Sequence, residues 1–300
     1  MSKFVIISDS SCGLDASWRE KYGVDYLPNR VFMGETEKIA DIDWQSLDAK
    51  EFFDYMREGN RITTSQILAT ECREKFENYM KEGYDVLAIC CAEALSAGVN
   101  VCRRMGEELM QKYPERKVIA VNSTRCSGAL SILCIRASEL RAEGKSIEET
   151  AQWVEEHKKF THQLGTVEKL TYLKRAGRVS ASSAFFGGLL NIKPILISDV
   201  HGNNAAVEKV KGRAASLSRI VERAVENYTG EECADVFIRH ADDEDEAMTV
   251  KTMLLEKLGL KEEQIHVAAM NPVMSAATGP GTLGVYFYGK EVTHDAKKGE

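Results

Sequence analysis

The sequence predicts an α/β protein in two domains, the first built on a parallel sheet with helices and the second on a mixed or antiparallel sheet. Three observations predict it. The 300 residues exceed a typical single domain. In the first half, short β-branched runs alternate with amphipathic helical patterns, as in parallel α/β units. In the second half, a hairpin signal stands beside helical crossovers, so antiparallel pairing enters as well.

The elements follow in order. Residues 4–7 read as a buried strand, 62–66 (ITTSQ) as a loop, 71–81 as a helix, 86–90 as a strand, 99–112 as a helix, 118–121 as a strand and 128–142 as a helix. Ser146 with Glu149 forms a capping box that opens a helix to about residue 160. The boundary is placed there, giving domains 1–160 and 161–300. Beyond it, 163–167 and 195–200 are strand-like, Asn203 and Asn204 make a turn, and 205–209 is the returning arm of a hairpin. A helix at 214–227, a strand at 234–238, a helix at 244–258, a strand at 265–269 and a closing strand at 285–288 complete the chain.

Two features are set aside on physical grounds. Gly279, Gly281 and Gly284 have the spacing of a dinucleotide-binding G-x-G-x-x-G, but a strand follows them and only 16 residues remain after Gly284. The fingerprint needs a helix opening there and an acidic residue about 20 positions on. The acidic run 242–246 lies at the start of a predicted helix, where it complements the dipole and needs no metal.

Composition narrows the function. Hydrophobic residues at 44% and charged residues at 28% are ordinary for a globular chain. A net charge of -7 with no long basic stripe argues against a nucleic-acid partner. Eight cysteines include no C-x-x-C pair, and no His cluster completes a zinc site, so no metal is expected. They read as reduced core thiols, which suggests the cytoplasm. MSKFVIISDS has too short an apolar run for a signal peptide, and no stretch has the length of a membrane span.

Ligands of open α/β sheets bind beyond the carboxyl ends of the strands, and polar residues gather there. Ser8-Asp9-Ser10-Ser11, Leu95-Ser96-Ala97-Gly98 and Asn122-Ser123-Thr124 follow the three predicted strands, and Thr63-Thr64-Ser65-Gln66 adds a fourth group. Each also suits a helix cap. No His stands in these loops, so a Ser nucleophile would lack its base. No catalytic residue is assigned. The set offers many neutral hydrogen-bonding groups, and a rigid Gly-Pro-Gly turn carries Ser275 and Thr278 beside it.

Asp9-Ser10, Thr64-Ser65-Gln66, Leu95-Ser96, LKRAGRVS (173–180), LLNIKPIL (189–196) and the TGPG turn (278–281) occur in this order across essentially the whole chain. In this the sequence resembles the DegV family. The resemblance implies an N-terminal Rossmann-like domain, a separate C-terminal α/β domain and a bound long-chain fatty acid, with no other cofactor. It implies a carrier, not an enzyme, that presents the carboxylate to a separate fatty acid kinase and leaves transient membrane contact open. Thr64 and Ser96 fall on the family's carboxylate-binding Thr and Ser, Ser65, Ser275 and Thr278 are the further donors expected around the carboxylate, and Arg178 falls on the Arg associated with the kinase. Ala277 stands where family members often carry a His. The apolar cluster Phe185, Phe186, Leu189, Leu190, Ile192 and Ile195 is the expected acyl wall. The alternatives are a diverged paralogue holding another amphipath, and a small-molecule transferase or phosphotransferase with Asp9 as base or metal ligand.

Overall fold

The computed structural model describes residues 3–180 and 191–296. Strand β1 (Lys3–Asp9) centres a parallel sheet whose order is β2 (Val24–Leu27), β1, β6 (Tyr84–Cys90) and β7 (Val118–Asn122). Along β1, Ile6 belongs to one apolar cluster and Ile7 to another. That is the near-continuous apolar run of a parallel strand covered on both faces. Helices α3 (Ala69–Lys81) and α4 (Gly98–Lys112) cover the Ile7 face through Cys72, Phe76, Val99 and Met105. The other face carries α5 (Ser127–Ala142) and α6 (Ile147–His157), through Leu130, Leu133 and Val154. Helix α1 (Ala16–Tyr22) follows β1.

Between β2 and β6 the chain builds a small antiparallel sheet, β4 (Thr36–Ala40), β3 (Asn29–Met33) and β5 (Ile62–Ser65), with α2 (Ala49–Arg57) joining its outer strands. Residues 62–66, expected as a loop, therefore hold a strand. Its four residues pair with β3 register for register, Thr64 opposite Val31, which is a tertiary contact that no local pattern announces.

Residues after 160 make the third sheet, ordered β10 (Asn204–Lys211), β9 (Ile192–Ser198), β8 (Thr161–Thr166), β13 (Leu283–Tyr288), β11 (Val236–His240) and β12 (Ile265–Ala269). Only β11 and β12 pair in parallel, so the sheet is mixed. Helices α8 (Arg213–Asn227) and α9 (Glu244–Leu258) cover one face. The β9–β10 turn comes earlier than Asn203-Asn204: Asp199 Oδ1 accepts from the amides of His201 and Asn203, and Gly202 takes φ 87°. A carboxylate cap and a left-handed glycine close the turn there, which frees Asn204 to open β10. Two short helices, α7 (Thr171–Ala176) and α10 (Pro272–Thr278), cross the end of the molecule that holds the cleft.

Helix α5 joins the two large sheets. Twelve of its sixteen residues are buried, because one side meets β1 and the other meets Phe237, Tyr286 and Tyr288 of the six-stranded sheet. At Gly128 a Cβ would lie 2.6 Å from the Tyr286 ring, so only glycine lets helix and sheet approach this closely. Two buried arginines flank the helix entrance. Arg125 Nε donates to the Thr161 carbonyl at 2.6 Å and Nη1 to that of Asp199 at 3.1 Å. Arg239 Nη2 donates to the Gly13 carbonyl at 2.8 Å and Nη1 to that of His266 at 3.1 Å. Burial lowers both guanidinium pKa values, that of Arg125 to about 10. Among the described residues, no helix is long and apolar enough to cross a membrane.

Candidate functional site

A cleft of about 350 Å³ opens beyond the carboxyl ends of β1 and β6, within the roughly 300–1,000 Å³ range of small-molecule sites. Four parts of the chain meet there. Ser11 follows β1, and Cys91, Leu95, Ser96 and Ala97 follow β6. The small sheet supplies Asn29 and residues 61–66. Tyr172, Leu173, Arg175 and Ala176 come from α7, with Arg178 just beyond it, and Met274, Ala276, Ala277 and Thr278 come from α10.

The polar side of the cleft is built from hydroxyls and a helix end. Thr63 and Thr64 are exposed on β5. Ser65 Oγ donates to the Gln66 carbonyl at 3.1 Å, and Asn29 Nδ2 donates to the Ser65 carbonyl at 3.0 Å, which holds the strand end in place. Ser96 Oγ accepts from the Gly98 amide at 3.4 Å. Helix α4 begins there with Ala97 as its N-cap and no side-chain cap bond. Its first-turn amides and dipole therefore favour an anion beside Ser96 and Thr64. Three exposed arginines, Arg61, Arg175 and Arg178, lie at the rim. Arg178 Nε donates to the Leu95 carbonyl at 2.9 Å and Arg61 to that of Arg175 at 3.0 Å. Among the described residues none of the three is ion-paired with a carboxylate.

Deeper in, the wall becomes apolar, with Met56, Ile62, Leu173, Val273 and Met274. Thr278 lines the cleft while its own hydroxyl donates to the Met274 carbonyl at 2.9 Å. Behind Ser11 lies Asp9, fully buried: its carboxylate accepts from the Ser11 hydroxyl and amide and, at 2.8 Å, from the Cys91 amide. Burial raises its pKa against those hydrogen bonds. Burial also pushes the Cys91 thiol well up, so that sulfur stays protonated and poorly nucleophilic. No histidine lines the cleft among the described residues, and no group of His, Cys, Asp and Glu among them could hold a metal ion.

The structure thus brings together Thr64, Ser65, Ser96, Thr278 and Arg178, with Ala277 beside them. Ser275 falls elsewhere: one position round α10 from the lining residues, it is buried and donates to the Met270 carbonyl at 3.1 Å. Ile195 also falls elsewhere, in the core under α8 with Leu217 and Ile220, because strand alternation turns it to the opposite face from Leu196. Ile192 opens β9 and is not among the cleft residues. Phe185, Phe186, Leu189 and Leu190 lie outside the described residues. Asn29, Arg61, Tyr172, Asn204 and Met274 line the cleft without having been singled out from the sequence. A signal existed for Arg61, which stands beside the Thr-rich stretch, and for Tyr172, which immediately precedes LKRAGRVS.

The two α/β layers and the cleft with its hydroxyl-rich, arginine-rimmed mouth define an α/β protein with a cleft of small-molecule size whose mouth carries hydrogen-bond donors and positive charge. Comparison with known proteins narrows this. The sequence model of the DegV family, described as uncharacterised proteins, matches residues 3–290, and the chain belongs to that family. It is 34% identical over 289 residues to a DegV domain-containing protein of Clostridium perfringens, covering 96% of this chain and 98% of the relative. A structure described as fatty acid binding of a DegV family protein from Thermus thermophilus superposes with a TM-score of 0.83 at 27% identity, covering 96% of this chain and all of that one. DegV of Bacillus subtilis, described as a fatty acid binding protein, gives a TM-score of 0.79 at 25% identity, over 97% of this chain and all of that one.

Proposed function

We propose that this protein binds a long-chain fatty acid in the cleft and presents the carboxylate at the mouth to a separate kinase, with no catalytic centre of its own. The observation that carries the reading is the gradient of the cleft, from hydroxyls and a helix N-terminus at Thr64, Ser96 and Ala97 to the apolar wall at Leu173 and Met274. The fatty-acid-binding relatives support it. About 15 buried methylenes at about 0.8 kcal/mol each supply a gross driving force on the order of 12 kcal/mol before association costs. One charge-assisted hydrogen bond adds about 1.5–3 kcal/mol. The tail therefore dominates affinity, and the donors fix orientation. Arg178, exposed at the rim, suits a partner contact in which the kinase meets the carboxylate. We further propose two domains, 1–160 and 161–300, which share α5.

Organic extraction of the purified protein and mass spectrometry should yield near-stoichiometric acyl chains. The delipidated protein should bind the free acid more tightly than its methyl ester, and Thr64→Val or Ser96→Ala should cost the acid about 1–3 kcal/mol more than the ester. Folded protein with neither bound lipid nor measurable affinity for the acid would overturn the reading.

A second reading rests on one contact. The Ser11 hydroxyl, at the cleft wall, donates to the buried Asp9 carboxylate, an arrangement that a group-transfer enzyme could use. Turnover of ATP or an activated ester by the isolated protein, lost in Ser11→Ala, would support it.

A further inference from the structure

Gly165 on β8 stands directly opposite Gly284 on β13. Side chains alternate across both strands: Leu164, Leu283 and Val285 enter the core under α8 and α9, whereas Val167 packs with Leu173 and Leu196 on the other side. Gly165 and Gly284 share that second side, so neither position places a side chain there. A small recess of about 30 Å³ lies against the pair, with Met270 and Met274 over it. Leu173, Asn204, Met274 and Thr278 line both the recess and the cleft, so the recess adjoins the cleft.

The two glycines differ. At Gly284 a Cβ would meet the Tyr286 hydroxyl at 2.4 Å, so an aromatic ring already fills that space. At Gly165 a Cβ would meet only backbone, the Leu283 carbonyl at 3.2 Å and Gly284 Cα at 3.9 Å. Its φ lies outside the left-handed region, so the backbone does not require glycine there. A strand-interior glycine with no backbone reason marks a place that something approaches closely. The methionines above are unbranched and can re-seat around a guest.

We propose that Gly165 sets the length of acyl chain the cleft accepts, the methyl end of the ligand entering the recess over Gly165, beside the Tyr286 ring and beneath Met270 and Met274. This rests on the fatty-acid reading above. A side chain at residue 165 closes the recess and turns the last methylenes out toward water, at about fourfold in Kd for each.

The test is titration of delipidated wild type, Gly165→Ala, Gly165→Val and Met274→Ala with dodecanoic, tetradecanoic and octadecanoic acids. Gly165→Val should weaken octadecanoic acid at least tenfold relative to dodecanoic acid, Gly165→Ala should do so to a smaller extent, and Met274→Ala should shift preference toward the longest acid. Length preference unchanged in all three variants, or weakening uniform across the acids, overturns the proposal and leaves fatty-acid binding standing. Wild type that binds none of the acids overturns both.

Discussion

His162 shows how a single residue ties the fold to pH. It stacks on Phe287 with ring centroids 4.8 Å apart, and its Nε2 is 2.7 Å from the Lys290 carbonyl. Burial, with Arg125 and Arg223 nearby, lowers its pKa from 6.5 to about 4, although the carbonyl opposes the shift. The imidazole is thus neutral in the fold and donates to the carbonyl. As pH falls through 6.5 the unfolded chain takes up the proton first, so stability declines between about 6.5 and 4 and is full above that window. Protonation linked to this one group is worth about 3 kcal/mol across the window. His162→Gln should flatten that part of the stability curve, measured by denaturant unfolding at pH 7 and pH 4.5. An equal acid loss in the variant would assign the effect to other groups. Nothing local in the sequence distinguished this histidine from the other five.

At the scale of the element, legibility followed length. Helices such as α4 and α9 carry enough turns for their period to show, and the Ser146–Glu149 capping box forms both of its bonds. Strands β2 to β5 have four or five residues each, and α7 and α10 have six and seven, too few for a period to emerge. Those short elements build much of the cleft. Thr64 and Ser96 were visible because motifs carry them, whereas Asn29 and Asn204 reach the cleft only through strand pairing far along the chain. Helix α5 was legible as a helix but not as a shared one, although its lack of a polar face was the clue. Gly128→Val tests that role: a side chain pressed against Tyr286 and Phe237 should cost about 1–3 kcal/mol by overpacking, seen as a lower denaturant midpoint at unchanged slope. An unchanged midpoint would show that helix and sheet can separate at no cost.

For the whole molecule, the α/β class and the two kinds of sheet were readable from the order of the patterns, but the common core between them was not. That core makes a thermodynamic demand. Trp18 meets Phe237 and His266, and Trp44 donates to the Met270 carbonyl, so the fluorescence of a variant that keeps only Trp153, on α6, follows the parallel layer while far-UV circular dichroism follows both. The two unfolding curves should coincide, since neither sheet can lose α5 without exposing the cluster that holds Leu130, Phe237 and Tyr286. Separated transitions would show independent halves. The same helix also bears on how the proposed ligand would enter and leave. Many two-lobed binding proteins admit ligand by swinging their lobes about a pivot, and a helix packed into both lobes, with Arg125 and Arg239 bonded across the seam, removes the pivot. On the fatty-acid reading, loading of this cleft is left to small, local yielding at its rim, where α7 has only six residues, while the bulk of the protein stands still.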